Sequence, residues 1–134
     1  MLVTPTLGVH AENDDGMTFP YLTIGRVYVV VGIEDDMFRL VVDNGDPALI
    51  PRGRCIIVDA WIPENWNHSP HGLYGLHEPP EVSSSGFYEK WHDGDSAVRQ
   101  VFEKVFRRLW QHYASAEPGY GAKLQPRVPS EVWE

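Results

Sequence analysis

The chain has 134 residues, 43% apolar and 22% charged, a balance that suits one folded domain and excludes a disordered one. Nineteen acidic and 11 basic side chains give a formal charge of −8. That charge argues against gripping nucleic acid through its phosphates, which requires a basic patch, and favours either a basic partner or simply solubility, the more common reason for such a balance.

In chain order, residues 1 to 20 mix small and polar groups, with a short strand at Leu2–Val3, a turn at Glu12–Gly16, and Met17–Pro20 leading onward. The opening residues carry neither the basic nor the apolar stretch of a secretory signal. No run approaches the ~18 apolar residues of a membrane span. Residues 21 to 59 form a β-meander. Arg26–Ile33 is β-branched and aromatic, fitting a pleated, half-buried surface. Glu34-Asp35-Asp36 is a turn. Over 37–43, Phe38, Leu40 and Val42 alternate with Arg39 and Val41, the period of a strand with one buried side. Asn44-Gly45 supplies the positive φ angles of a primed hairpin turn, and Pro47 confines the return strand, 47–50, to an edge. Pro51-Arg52-Gly53 breaks it, and a last strand covers 54–58. The lone Cys55 excludes an internal disulfide and sits in an apolar strand, where a thiol behaves as a small hydrophobe. Together these features imply a reduced, cytoplasmic protein with no membrane contact.

The run ALIPRGRCIIVD resembles the end of an SH3-type barrel, in which a short strand, a Pro-led helical turn and a closing strand succeed one another. The resemblance implies a small SH3-like antiparallel β-barrel or bent sheet. The aromatic-rich opening segment of a peptide-binding SH3 groove is missing.

Residues 60–85 are rich in Pro, Gly and Ser and read as an irregular loop, with Trp61, Trp66 and Tyr74 pinning it to the sheet. Gly86–His92 is one or two helical turns, with Phe87, Tyr88 and Trp91 on one side. Asp95 or Ser96 caps the main helix, 97–114. Its apolar positions Val98, Val101, Phe102, Val105, Leu109 and Tyr113 recur at the helical period, widened by Phe106 and Trp110. Arg107, Arg108 and His112 lie where cations suit the helix dipole. The tail, 115–134, is extended and tied down by Trp133. The fold class is therefore α+β, one domain over 1–134.

Chemistry is sparse. His68 and His71 form an H-x-x-H pair, with His77-Glu78 and His92-Asp93 beyond, residue types that suit zinc or a 2-His-1-carboxylate iron site. A Pro-flanked loop without partner cysteines makes loop histidines bonded to water or backbone the default. Cys55 lacks an activating neighbour, Ser83–Ser85 lacks the G-x-S-x-G elbow, and no glycine-rich phosphate loop is present. Asp35-Asp36 in a surface turn reads as solvated carboxylates. No cofactor is implied. What remains is surface. If the strand ends converge, Asp43, Asp46, Asp59 and Glu64 gather beside Trp61 and Trp66, and aromatics ringed by acids can anchor and steer a basic protein. The alternative is that the acids are solvated and the tryptophans close the core. With the turn acids Asp35 and Asp36, these eight residues are the candidate partner-binding set.

Residues 21–110 combine LTIGRVYVVVGIEDDMFRLVVDNGDPALIP, a D-x-W-I-P-E-N-W segment and GFYEKWHDGDSAVRQVF. That combination resembles small bacterial immunity-type proteins, which bind and neutralise a partner toxin in the producing cell. The resemblance implies a non-enzymatic inhibitor covering the active site of a basic toxin. An SH3-like interaction module of a larger assembly, and a metal-dependent enzyme using His68, His71 or His77, are the alternatives.

Overall fold

A computed structural model of the chain describes residues 1–6, 21–116 and 119–126. The described strands are β1 Leu2–Pro5, β2 Tyr28–Glu34, β3 Met37–Val41, β4 Pro47–Pro51, β5 Cys55–Asp59, β6 Asn67–Ser69 and β7 Leu76–Glu78. Two helices follow, α1 Phe87–His92 and α2 Ser96–Ala114, so the fold is α+β with one main helix.

Strand β2 is the axis of the molecule. Tyr28 to Ile33 are all buried, which is why the sequence there is a continuous apolar run instead of an alternating one. On one side Tyr28, Val30 and Ile33 pack with Met1, Val3, Phe38, Leu40, Val42 and Ile50. On the other, Val29 and Val31 pack with Leu2, Val41 and Trp66 and with Phe102, Val105, Phe106, Leu109 and Tyr113 of α2. The alternation in β3 follows from the same division: Phe38 and Leu40 enter the first core, Val41 the second. Val101 departs from the expected helical stripe and is 38% exposed.

Five antiparallel strands run in the order β4-β3-β2-β1-β5. As the SH3-type resemblance implies, a single 3-10 turn, Arg52–Arg54, separates β4 from β5. It carries the chain across, so β5 pairs with β1 and not with β4. Among the described residues no ladder joins β4 to β5. Of the two expected forms the sheet is the bent one, open and not closed into a barrel. Each face instead has its own core, one inside the bend and one under α2.

The turns differ from expectation in an instructive way. Asn44 does not take a positive φ. Val42 and Asp46 close a three-residue loop (Val42 N to Asp46 O, 3.0 Å), and Gly45 alone is left-handed at φ 92°, the type I turn with a bulge. The two-residue hairpin is Asp35–Asp36, between the paired Glu34 and Met37, and Asp35 is at φ 54°. Aspartate tolerates that region better than most residues.

The expected irregular loop, 60–85, contains β6, β7 and a 3-10 turn, Pro80–Val82. Asn-His-Ser and Leu-His-Glu carry no apolar alternation. They are strands because β7 extends the ladder at Ile33 and Glu34 of β2, and β6 pairs with β7. Leu124 bridges Val27, and Gln125 is 3% exposed, so this part of the tail is built into the core. The expected turn at Glu12–Gly16, the lead-in Met17–Pro20 and the tie at Trp133 lie outside the described residues.

Candidate functional site

Most of the eight candidate residues are internal fasteners. The Asp43 carboxylate accepts hydrogen bonds from Thr23 (2.6 Å), Tyr28 (2.6 Å) and Arg26 (3.0 Å). Buried Tyr28 is pushed up to about 12, by burial first and by its bond to Asp43 next. Asp35 accepts from the Leu73 and Tyr74 amides at 2.7 and 3.1 Å, and its own amide donates to Gly75 O. A Cβ on Gly72 would lie 2.2 Å from the Asp35 carboxylate, so the loop can close on Asp35 only with glycine there. Asp36 contributes its carbonyl, which accepts from Arg52 N at 2.7 Å. Asp46 pairs with Asn44 inside its own turn.

Asp43 and Asp46 therefore share the β3–β4 turn, while Asp35 and Asp36 occupy the turn at the opposite end of β3. Asp59 ends β5, where it accepts from Trp61 N at 2.9 Å and Tyr120 Oη at 3.4 Å. Beside it the Met1 amine donates to Trp61 O and the Tyr113 hydroxyl. Burial holds that amine down to about 5, with Asp59 partly opposing. Trp61 is 43% exposed and stacks on His112 at 4.0 Å between ring centroids. Glu64 is exposed. Trp66 is 3% exposed and belongs to the helix-side core. Its ring closes the fold and is not part of the surface.

The histidines are rearranged too. His68 pairs with His77 across β6 and β7, Nδ1 to Nδ1 at 2.6 Å, while His71 lies 3.8 Å from Glu34. His77 Nε2 is 2.7 Å from Tyr74 O. A carbonyl only accepts, so His77 Nε2 is the donor in that bond. Among the described residues no three His, Cys, Asp or Glu side chains are grouped to hold a metal ion.

A feature that sequence reasoning missed lies where β7, the end of β2 and α1 meet. There a cleft of about 340 Å³ is lined by Glu34, Glu78 and Glu89, by Arg39, and by Ser84, Ser85 and Tyr88. Three carboxylates face one guanidinium. Arg39 lies 3.6 Å over the Tyr88 ring and reaches Glu34 at 3.5 Å. Burial pushes the Glu78 carboxyl up, Arg39 opposes this and Glu34 adds to it. Among the described residues the buried Tyr88 hydroxyl has no hydrogen-bond partner. Burial also pushes its ionisation up, so it stays a neutral donor. The site was hidden because β7 reads as loop, and only the β2–β7 ladder sets Glu78 beside Glu34.

No family model, curated protein or solved structure matches the chain. Among the described residues no helix is long and apolar enough to cross a membrane.

Proposed function

We propose that the chain is a non-enzymatic, immunity-type binding protein that neutralises a basic protein toxin in the cytoplasm. The cleft between β7 and α1 would take a lysine or arginine side chain of that partner. The observation that carries this reading is the imbalance in the cleft, whose lining sets Glu34, Glu78 and Glu89 against the single guanidinium of Arg39. Glu78 is disfavoured as an anion by its burial. An incoming ammonium or guanidinium would favour its charged form and supply a further counter-charge. The −8 balance would steer such a partner from a distance.

The test is capture from the native cell with the wild-type chain, followed by affinity measurement on the recovered complex as salt is raised. Binding should weaken steadily between low and physiological ionic strength. Glu34→Gln and Glu78→Gln should each weaken it roughly fivefold, the size of a ~1 kcal/mol ion pair. An affinity indifferent to salt and to both substitutions would refute the reading.

A further inference from the structure

We infer that His68 and His77 form a proton-operated latch, which fastens β6 to β7 near neutral pH and releases it when both rings are charged. The two residues face each other across the ladder, with Nδ1 atoms 2.6 Å apart and ring centroids 4.8 Å apart. At that separation one Nδ1 donates and the other accepts. His77 is fixed from its far side, where Nε2 donates to Tyr74 O at 2.7 Å. Two neutral rings satisfy the contact. So does a pair with one extra proton, because a cationic ring donates to the neutral one and charge strengthens the bond. A second extra proton does not fit. Both Nδ1 atoms then carry hydrogen, so two donors meet at 2.6 Å and two positive rings face each other.

The strand that the latch holds has little else to hold it. β6 is Asn-His-Ser, exposed along its length, and among the described residues it pairs only with β7. Beyond the ladder and the two rings, Asn67 Nδ2 donates to Ser83 Oγ at 3.1 Å. Elements that bury few apolar contacts are the first to open. Among the described residues neither ring is in an ion pair with a carboxylate. Of the charges around them, Glu34 is engaged by Arg39 at 3.5 Å and by His71 at 3.8 Å. The Asp35 carboxylate is engaged by the Leu73 and Tyr74 amides, and Arg52 lies 4.3 Å over the Tyr74 ring, adding positive charge. Glu78 sits opposite Asn67 and alternates to the other face of β7 from His77. Opening β6 therefore frees the outer edge of the strand that supplies Leu76 and Glu78 to the cleft wall. The latch works in the free protein and does not depend on what the cleft binds.

Hydrogen exchange of the unsubstituted chain, with a chelator present and intrinsic exchange rates divided out, reads the latch directly. Between about pH 8 and about pH 5, the range over which imidazole ionises, protection of the β6 amides should fall roughly tenfold relative to that of β2. His68→Phe keeps a ring but has no proton to give or take. Its β6 protection should be low throughout and no longer respond to pH. His71→Gln should leave the fall unchanged, since His71 faces Glu34 and not the pair. Nitrogen NMR of the rings in the unsubstituted chain gives a second reading. One Nδ1 should be protonated and the other bare at about pH 8, with both protonated only where β6 protection is lost. Constant protection across the range, the same fall in His68→Phe, or its disappearance in His71→Gln would overturn the inference. So would two bare Nδ1 atoms at about pH 8, because no hydrogen bond would then join the rings.

Discussion

Replacing Gln125 with alanine should nearly unfold the protein, although the residue lies in a Pro- and Gly-rich tail. Its side-chain oxygen accepts from Val29 N at 2.7 Å, and its amide nitrogen donates to Val41 O at 2.9 Å. It thus spans β2 and β3 where their ladder is irregular between Val30 and Gly32. Its backbone donates to Val27 O and accepts from Trp110 Nε1, both at 2.8 Å. Val29 and Val41 are both 0% exposed, so truncation strands an N–H and a C=O that water cannot reach. Each stranded group costs about 1–3 kcal/mol, so the pair costs roughly 2–6 kcal/mol before any cavity is counted. Against the 5–15 kcal/mol that holds a typical domain together, that is a large share. Gln125→Glu keeps the acceptor for Val29 but loses the donor to Val41 and buries a charge, so it should be no milder than alanine. Urea unfolding followed by tryptophan fluorescence measures the loss. Hydrogen exchange at the Val29 amide should accelerate with it. A loss under ~1 kcal/mol with an unchanged denaturant slope would refute the network as a structural element.

Asp35→Ala should cost about 1–2 kcal/mol in urea, because it removes the acceptor for Leu73 and Tyr74 and leaves a β-carbon at φ 54°. Asp35→Asn should cost less than half of that, with exchange at Leu73 and Tyr74 separating the two. Burial pushes the Cys55 thiol up from 9.0 to about 11, so labelling by a thiol reagent at pH 8 should run about a hundredfold slower than in the urea-unfolded chain. Cys55 and Tyr28 both give up protons less readily folded than unfolded. The unfolded state therefore binds fewer protons at high pH, so stability should hold up to about pH 9 and fall as pH climbs through 9–12. A stability that rises over that window would contradict the burial of both groups.

How much of this was legible in the residues varies by element. β2 and β3 were, because six buried positions in a row and a strict alternation are written in side-chain type alone. Helix α2 was legible with its cap, since the Asp95 side chain accepts from Val98 N as its position before the apolar period implies. The strands β6 and β7 were not, because their ladder is supplied by β2 and owes nothing to their own propensity. Gln125 was illegible for the same reason. A glutamine between Leu124 and Pro126 carries no mark that two strands far back in the chain leave it a donor and an acceptor. The turn residues misled in register: Asn44-Gly45 advertises the shorter hairpin, yet Asp35–Asp36 forms it, held by amides from residues 73 and 74.

Net charge proved a coarser guide to the candidate site than the disposition of individual carboxylates. Asp43 is saturated by Thr23, Arg26 and Tyr28, Glu81 is bonded to Arg108 at 2.8 Å, and Glu103 is paired with Arg107 on α2. A carboxylate whose hydrogen-bonding positions are already filled by the protein gains little from a partner's cation and loses solvation when covered. Glu34 and Glu78 differ, since the one guanidinium near them must serve both while also lying over Tyr88. Steering is a property of all 19 acids together, whereas short-range affinity depends on the few that must share a counter-charge. Substitutions at Asp43 should therefore act on folding, and substitutions at Glu34 and Glu78 on binding. Urea midpoints and complex affinities measured on the same variants separate the two. A loss of affinity at Asp43 without a loss of stability would place the contact at the β3–β4 turn instead of the cleft.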